Sequence, residues 1–231
     1  MVPFLDDLRY ALRTLRKNPV LTTVALLSLG IGIGANTAIF TLLDRLLLRS
    51  LPIREPERLV MFVSPGPQSG FIQTSYGNYV SFSWPKYRAL RDRSTAIFEG
   101  ILARYPFEVS IAAKGQTDRT RGELVSGNYF AVLGVHPSLG RLIGDDDART
   151  RGGSPVAVLS YGYWTRRFGG DPAILNQPIT VNGESLTVIG VAQPGFQSVG
   201  AGEAPAVFVP ITMQGSLRTG FDEFENATAI G

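Results

Sequence analysis

The chain has 231 residues, a formal net charge of +3 and no cysteine. The missing thiols exclude disulfides, thiol catalysis and cysteine-ligated metal sites. The basic residues form no stripe of the kind that binds nucleic acid, and a mean hydropathy of +0.10 is too low for a protein that crosses a membrane many times. We therefore expect no nucleic-acid partner, and a membrane part no larger than a single crossing.

Residues 1–19 are predicted to form an amphipathic helix. Apolar residues recur at helical spacing from Phe4 to Leu15, and basic residues occupy the opposite side. Helices of this type lie in the membrane interface with the apolar side toward the lipid, so membrane lipid is an expected partner. Packing against a protein core is the alternative. The basic residues expected at the membrane interface are Arg9, Arg13, Arg16 and Lys17.

An uncharged stretch from Val20 to Leu43 follows, and it predicts a transmembrane helix within residues 20–50. A helix of about two dozen residues is roughly 36 Å long, which exceeds the roughly 30 Å of a bilayer core. A cleaved signal peptide is the alternative, but the stretch is longer than a signal-peptide core and no small-x-small cleavage site ends it.

Small residues recur at four-residue spacing inside this stretch, at Gly30, Gly34 and Ala38. Such a face allows a partner helix to approach closely. The alternatives are a lone anchor with incidental glycines and a nucleotide-binding loop, and the latter is rejected because it requires a preceding strand. Basic residues are nearly equal in number on the two sides of the stretch, so the positive-inside rule leaves the orientation almost undecided.

Residues 51–231 are predicted to form one mixed domain of the α+β class. A short apolar run, Leu59–Val63, is interpreted as a buried strand, and residues 65–83 as a long loop. A helix is predicted after Ser83, with an apolar side that includes Ile97, and a second helix after Ser160. The remaining predicted strands are Ile101–Ile111, Gly122–Val125, Pro155–Leu159, Val207–Ile211 and the two arms of a hairpin around Asn182-Gly183.

The sequence contains no recognisable catalytic constellation. The only histidine, His136, lacks a nucleophile motif and is expected to be a surface or packing residue. No lysine follows a glycine, so a Walker A loop is absent. The acidic run Asp145–Asp147 lacks the spacing of a calcium loop and is expected to be a solvated turn. Asn226 begins a glycosylation sequon too short to weigh. We expect no enzyme, cofactor or metal site.

Several segments, in their order and spacing, resemble MacB-type ABC transporter permeases, especially the large acidobacterial type. Near the N-terminus these are DLRYALRTLRKNP, LSLGIGIGANTAIF and LLLRSLPIREPERLV. In the soluble part they are GELVSGNYFAVLGVHPSLGR, PVAVLSYGYWTRRFGGDP and VNGESLTVIGVAQPGF, with a later VFVPI. Together they cover most of residues 5–212.

This resemblance implies a first transmembrane helix followed by a MacB-type extracytoplasmic core domain. In the family, three further membrane helices and an FtsX-like permease domain come next. The resemblance also implies a permease dimer and a partner ABC ATPase on the cytoplasmic side. ATP hydrolysis would move the extracytoplasmic domain, for export or mechanotransmission.

The resemblance further implies a bacterial inner-membrane location, with the N-terminus in the cytoplasm and the domain in the periplasm or outside the cell. Because the later membrane helices do not occur in this sequence, we expect the chain to be the N-terminal portion of such a permease. The alternative is a membrane-tethered extracytoplasmic binding module without transport activity of its own.

Overall fold

The computed structural model describes residues 13, 16–43, 53–63, 82–94, 96–200, 204–217 and 228–230. The chain divides into two compact units, Met1–Ser50 and Leu51–Gly231. Most of the predicted N-terminal helix, almost all of the predicted 65–83 loop and Asn226 of the sequon lie outside the described residues.

Helix α1, Pro19–Leu43, has 25 residues and forms on the uncharged stretch that the sequence singled out. By length and composition it can cross a membrane, and its span Pro19–Thr41 is not buried by protein. Its threonine hydroxyls donate to backbone carbonyls four residues earlier, as Thr37 does to Ile33 at 2.8 Å. These bonds satisfy polar groups inside an otherwise apolar helix.

The second unit mixes short helices with one sheet, which confirms the α+β prediction. Its helices are α2 (Trp84–Arg93), α3 (Tyr129–Val132) and α4 (Tyr161–Phe168). Its strands are β1 (Leu102–Ala113), β2 (Gln116–Val125), β3 (Pro137–Gly140), β4 (Val156–Leu159), β5 (Pro178–Val181), β6 (Glu184–Ala192), β7 (Val207–Pro210) and β8 (Thr228–Ile230).

Six of these strands pair in a closed ring. The order around the ring is β1, β2, β7, β4, β6 and β5, and β5 pairs with β1 again. The β2–β7 and β4–β6 pairs are parallel, whereas the other pairs in the ring are antiparallel. Strand β8 pairs with the first residues of β1, and β3 pairs with β6. Each ring strand therefore has a neighbour on both edges.

The strands bury side chains on both faces, which produces two hydrophobic cores. Alternate residues of a strand point to opposite faces, so Val207 and Val209 of β7 join one core and Phe208 joins the other. The first core takes side chains from all six ring strands, together with Tyr87 of α2 and Phe168 of α4. The second core is formed largely by aromatic rings beside α3.

Two local predictions are confirmed in detail. Asn182 and Gly183 have φ angles of 49° and 93°, as the tight turn between β5 and β6 requires. The Asn182 side chain also accepts a hydrogen bond from the Ser110 backbone N–H at 2.8 Å, which joins this hairpin to β1. Ser160 caps α4 by accepting from the Tyr163 N–H at 3.4 Å, and the helix ends at Gly169, whose φ is 65°.

The buried strand predicted at Leu59–Val63 is wrong. Only Met61 forms a bridge, and Val60, Met61 and Val63 are 47%, 56% and 58% exposed. Helix α2 also ends earlier than the apolar pattern suggested, because the Ser94 N–H closes the last turn on the Leu90 carbonyl. Ile97 therefore lies outside the helix and is 78% exposed.

Candidate functional site

The small residues of α1 lie on one face of the helix. At 100° per residue, positions 30 and 34 differ by only about 40°, whereas position 32 faces away. Gly30, Gly34 and Ala38 are all exposed, and a Cβ added at Gly30 or Gly34 would meet no atom within 4 Å. The helix therefore offers an open surface along this face, and its role in packing against a partner helix remains a prediction.

The basic residues expected at the membrane interface are only partly described. Arg13, Arg16 and Lys17 are exposed, and Arg9 lies outside the described residues. Their contact with lipid remains a prediction.

A groove of about 580 Å³ opens where the chain enters the second unit. Its polar rim includes Arg54 and Arg58, and its apolar lining includes Val60, Ile97 and Val132. The groove is fixed to the domain because the Arg54 N–H donates to the Leu133 carbonyl at 2.9 Å, directly after α3.

The two arginines at the rim of this groove differ in whether they have an acidic partner. Arg58 bonds Glu55 at 2.6 Å and lies 3.4 Å from Glu99. Arg54 has no acidic partner among the described residues. Gly134 provides room for the Arg54 side chain, since it has φ 64° and a Cβ there would lie 2.7 Å from the Arg54 Cβ. The groove therefore presents one guanidinium that no described carboxylate neutralises.

A buried ion pair joins β1 and β2 beside the aromatic core. The Arg104 Nη1 donates to the Glu123 Oε1 at 2.5 Å, and the two residues are 3% and 1% exposed. Ser198 bridges the pair, accepting from Arg104 at 2.9 Å and donating to Glu123 at 3.0 Å. Tyr129 donates to the other Glu123 oxygen at 3.4 Å.

Burial raises the pKa of the Tyr129 hydroxyl, and the nearby Glu123 charge raises it further. Tyr129 therefore stays neutral and acts as a donor. Because the whole cluster is closed off from solvent, it is suited to holding β1, β2 and the segment around Ser198 together, and no substrate can reach it. Sequence analysis missed this cluster because its members are far apart in the chain and match no motif.

A second polar cluster attaches α4 to the β1–β2 hairpin. Asp118 accepts from the Tyr163 hydroxyl at 2.9 Å and from the Arg167 Nε at 2.7 Å. Arg167 also donates to the Ala113 carbonyl at 3.0 Å. Burial raises the Tyr163 pKa, and the hydrogen bond to Asp118 favours the neutral phenol as well. These contacts fix the helix on the sheet.

The acidic run Asp145–Asp147 is not a uniformly solvated turn, which corrects the sequence-based expectation. It forms a short 3-10 helix in which Asp147 is buried. Arg141 donates to both Asp147 oxygens, at 2.6 and 2.9 Å, and the Gly144 N–H donates at 2.9 Å. Burial alone would raise the Asp147 pKa, but these hydrogen bonds outweigh it and the pKa lies below its ordinary value.

We predict that Asp147 stabilises the fold in a pH-dependent manner. Because its folded pKa is depressed, its contribution is present above the unfolded pKa of about 3.9 and is lost as the pH falls through the folded value. The Asp147→Asn variant should therefore unfold at a lower urea concentration than the wild type at pH 7. The difference between their urea midpoints should narrow as the pH drops below about 4.

The matched control for this prediction lies in the same turn. Asp146 pairs with Arg149 at 2.6 Å, but its side chain is 85% exposed, and exposed pairs contribute little. Asp146→Asn should leave the urea midpoint almost unchanged at every pH. Equal effects of the two substitutions would contradict the assignment.

The described residues contain no group of three or more His, Asp or Glu side chains that could hold a metal ion. His136 is exposed, as expected, and its backbone N–H donates to the Gln193 side chain at 2.9 Å. The notable features of the described part of the chain are the open face of α1, the groove and the buried polar clusters.

Comparison with known proteins identifies the fold and the family. A family model described as the MacB-like periplasmic core domain matches residues 22–229. The crystal structure of the periplasmic region of MacB from Actinobacillus actinomycetemcomitans is similar, with a TM-score of 0.55 and 17% identity, covering 74% of this chain and 72% of that chain. No curated protein sequence matches this chain.

A second solved structure has the same fold. It is the extracellular domain of the noncanonic ABC-type transporter YknZ from Gram-positive bacteria, with a TM-score of 0.54 and 16% identity, covering 75% of this chain and 83% of that chain. The family model spans most of the chain, including nearly all of α1 and the whole strand ring. This chain therefore belongs to the MacB-like periplasmic core domain family.

Proposed function

We propose that this chain is the N-terminal portion of an ABC permease subunit that converts cytoplasmic ATP hydrolysis into movement of an extracytoplasmic domain. One observation carries the proposal. Helix α1 is apolar and is not buried by protein, and it is followed in the chain by a domain of the MacB periplasmic family. The proposed parts are an interfacial helix over 1–19, a membrane helix over 20–50 and a core domain over 51–231.

The proposed location is the bacterial inner membrane, with the N-terminus in the cytoplasm and the domain in the periplasm or outside the cell. The family's description as a periplasmic domain supports this location, and we propose that the chain crosses the bilayer between residue 19 and the first strand. Helix α1 is the described element that can do so by length and composition.

The domain is suited to transmitting movement because its described parts are tightly tied together. The six-strand ring leaves each ring strand paired on both sides, and the Arg104–Glu123 pair and the Asp118 cluster add polar links across elements. A close-packed interior deforms little, so a displacement applied at one end is passed on.

The partners that this function requires are an ABC ATPase on the cytoplasmic side and a second permease chain. Purification of the chain from native membranes in mild detergent tests the first requirement, with vanadate-sensitive ATP hydrolysis in the purified complex as the readout. We expect an ATPase subunit to be recovered in stoichiometric amount. Recovery of the chain without ATPase or permease partner would favour the tethered binding module instead.

The small-residue face of α1 is the proposed contact with a partner helix. Replacing Gly30 and Gly34 together with leucine should weaken association of two chains in a membrane severalfold, because the bulky side chains prevent close approach. Energy transfer between fluorescently labelled copies in nanodiscs measures this association.

Gly32→Leu is the matched control, since it introduces the same side chain on the opposite side of α1. A Cβ at Gly32 also meets nothing within 4 Å, so the isolated helix tolerates both changes. Equal loss of energy transfer in the control would show that this face is not the contact.

A further inference from the structure

The strongly exposed apolar side chains of the second unit come from two segments that meet at the groove. Among its described residues, the large apolar side chains that are strongly exposed are Val60, Met61, Val63 and Ile97, here called the apolar patch. Val60 and Ile97 line the same groove. Exposed apolar residues scattered singly are normal, whereas a cluster marks a surface that another phase or molecule covers.

Aromatic rings hold the apolar patch in place from beneath. Phe62, between Met61 and Val63, packs edge-on against Phe98 with ring centres 5.2 Å apart and against Phe82 at 6.4 Å. Phe62 and Phe98 are only half-buried, and both pack against the first core. The patch is therefore a fixed surface of the domain.

Basic side chains outnumber acidic ones in the two segments that carry the apolar patch. Arg54 lies on the rim of the groove without an acidic partner among the described residues. Helix α2 continues the basic surface, because Lys86 lies 4.9 Å above the Phe82 ring and Arg88 and Arg93 are exposed. Segments 53–63 and 82–99 carry six basic and four acidic side chains, and Arg58 is the partner of two of those acids.

The apolar patch lies close to α1 along the chain. Only nine residues, 44–52, separate the end of α1 from Ile53. Strand β1 begins just beyond the patch, and its far end pairs with Val181 next to the Asn182-Gly183 turn. The patch thus lies at the end of the domain that the chain enters first after the membrane helix.

From these observations we infer that the apolar patch docks into the interface of an anionic phospholipid bilayer. Aliphatic side chains rimmed by Arg and Lys match that interface, where apolar groups enter the headgroup boundary and cations face lipid phosphates. Docking would hold the base of the domain on the membrane surface. The inference rests on one part of the proposed function, which is that α1 anchors the chain in a bilayer.

The test uses the full chain in nanodiscs that contain nitroxide-labelled lipid. Because the sequence has no cysteine, single cysteines at Ile97, at Leu29 within α1 and at Glu184 beside the Asn182-Gly183 turn can each carry a fluorophore. We expect nitroxide lipid to quench the labels at positions 97 and 29, and iodide in the buffer to quench only the label at 184.

The electrostatic part of the inference has its own comparison. Quenching at position 97 should be stronger in phosphatidylglycerol than in phosphatidylcholine nanodiscs. In the former, Arg54→Gln should lower the ratio of docked to undocked domain roughly fivefold, the effect of one cation at an anionic surface. Arg166→Gln is the matched control, since α4 contacts the opposite end of β1 through Arg167 and Ala113, and we expect no change.

Three results would overturn the inference. If the label at 97 behaves like that at 184 while the label at 29 is quenched by lipid, the patch faces water and the membrane anchor stands. If the label at 97 is shielded from iodide but is not quenched by lipid, a protein covers the patch. If the label at 29 also escapes lipid quenching, the anchor and the proposed function fail together.

Discussion

Replacing Glu123 with alanine should lower the free energy of unfolding by about 3–5 kcal/mol, the cost of leaving one member of a buried ion pair without its partner. Arg104 is only 3% exposed, so its charge cannot recover hydration when the carboxylate is removed. Ser198 can accept one of its hydrogen bonds but cannot neutralise the charge. Urea unfolding followed by near-ultraviolet circular dichroism measures the change.

Glu108→Ala is the matched control for this prediction, because Glu108 also lies on the β1–β2 ladder and also faces an arginine. The Arg121–Glu108 pair is 3.4 Å apart, with side chains 60% and 82% exposed. Exposed pairs contribute less than about 1 kcal/mol, so this substitution should change little.

Replacing both members of the buried pair, as in Arg104→Met with Glu123→Leu, should be far milder than Glu123→Ala, because no charge is left buried. If Glu123→Ala costs no more than Glu108→Ala, then the pair is not closed off from water as described.

Phe208→Ala should lower the free energy of unfolding by about 3–5 kcal/mol, because it leaves a cavity in the second core. Phe208 is fully buried, and its ring centre lies 5.3 Å from Phe130, 5.7 Å from Phe196 and 6.2 Å from Tyr129. The surrounding rings are held by α3 and by the loop that contains Phe196, so they cannot close the gap together.

The control for Phe208 is Ile97→Ala, which removes apolar atoms from an exposed position. The free energy of unfolding of this variant should stay within about 0.5 kcal/mol of that of the wild type. If Phe208→Ala lowered the free energy of unfolding by less than about 1 kcal/mol, the aromatic core would have repacked around the missing ring.

Those parts of the fold that depend on local chemistry could be predicted from the sequence. Asn182-Gly183 specified a hairpin because both residues adopt positive φ easily, and Ser160 specified a helix start because its hydroxyl can cap the chain. The uncharged run from Val20 specified helix α1. In each case residues adjacent in the chain determine the backbone.

The parts that depend on distant residues could not be predicted. Glu123 appeared as an isolated charge in a strand, and only the fold brings it to Arg104 and Ser198. Leu59–Val63 appeared to be a buried strand because its composition is apolar, yet three of its side chains are exposed. Composition reports what a segment could bury, whereas the topology decides what covers it.

The same limit applies to the candidate surfaces. The spacing of Gly30, Gly34 and Ala38 could be recognised in the sequence, since it follows from helix geometry alone. The groove could not, because Arg54 and Val60 meet Ile97 and Val132 only through the packing of α3 against the entering chain. Strand β8 was missed for a similar reason, since its pairing with Leu102 of β1 is long-range.

The central claim is that the domain after α1 lies outside the cytoplasm. Labelling of single cysteines with a membrane-impermeant maleimide in intact cells tests it most directly, with one cysteine at Arg13 and another at Glu184, both exposed in the structure. We predict labelling at position 184 in intact cells and at position 13 only after the membrane is permeabilised. Labelling at 13 in intact cells, with 184 protected until permeabilisation, would contradict the account.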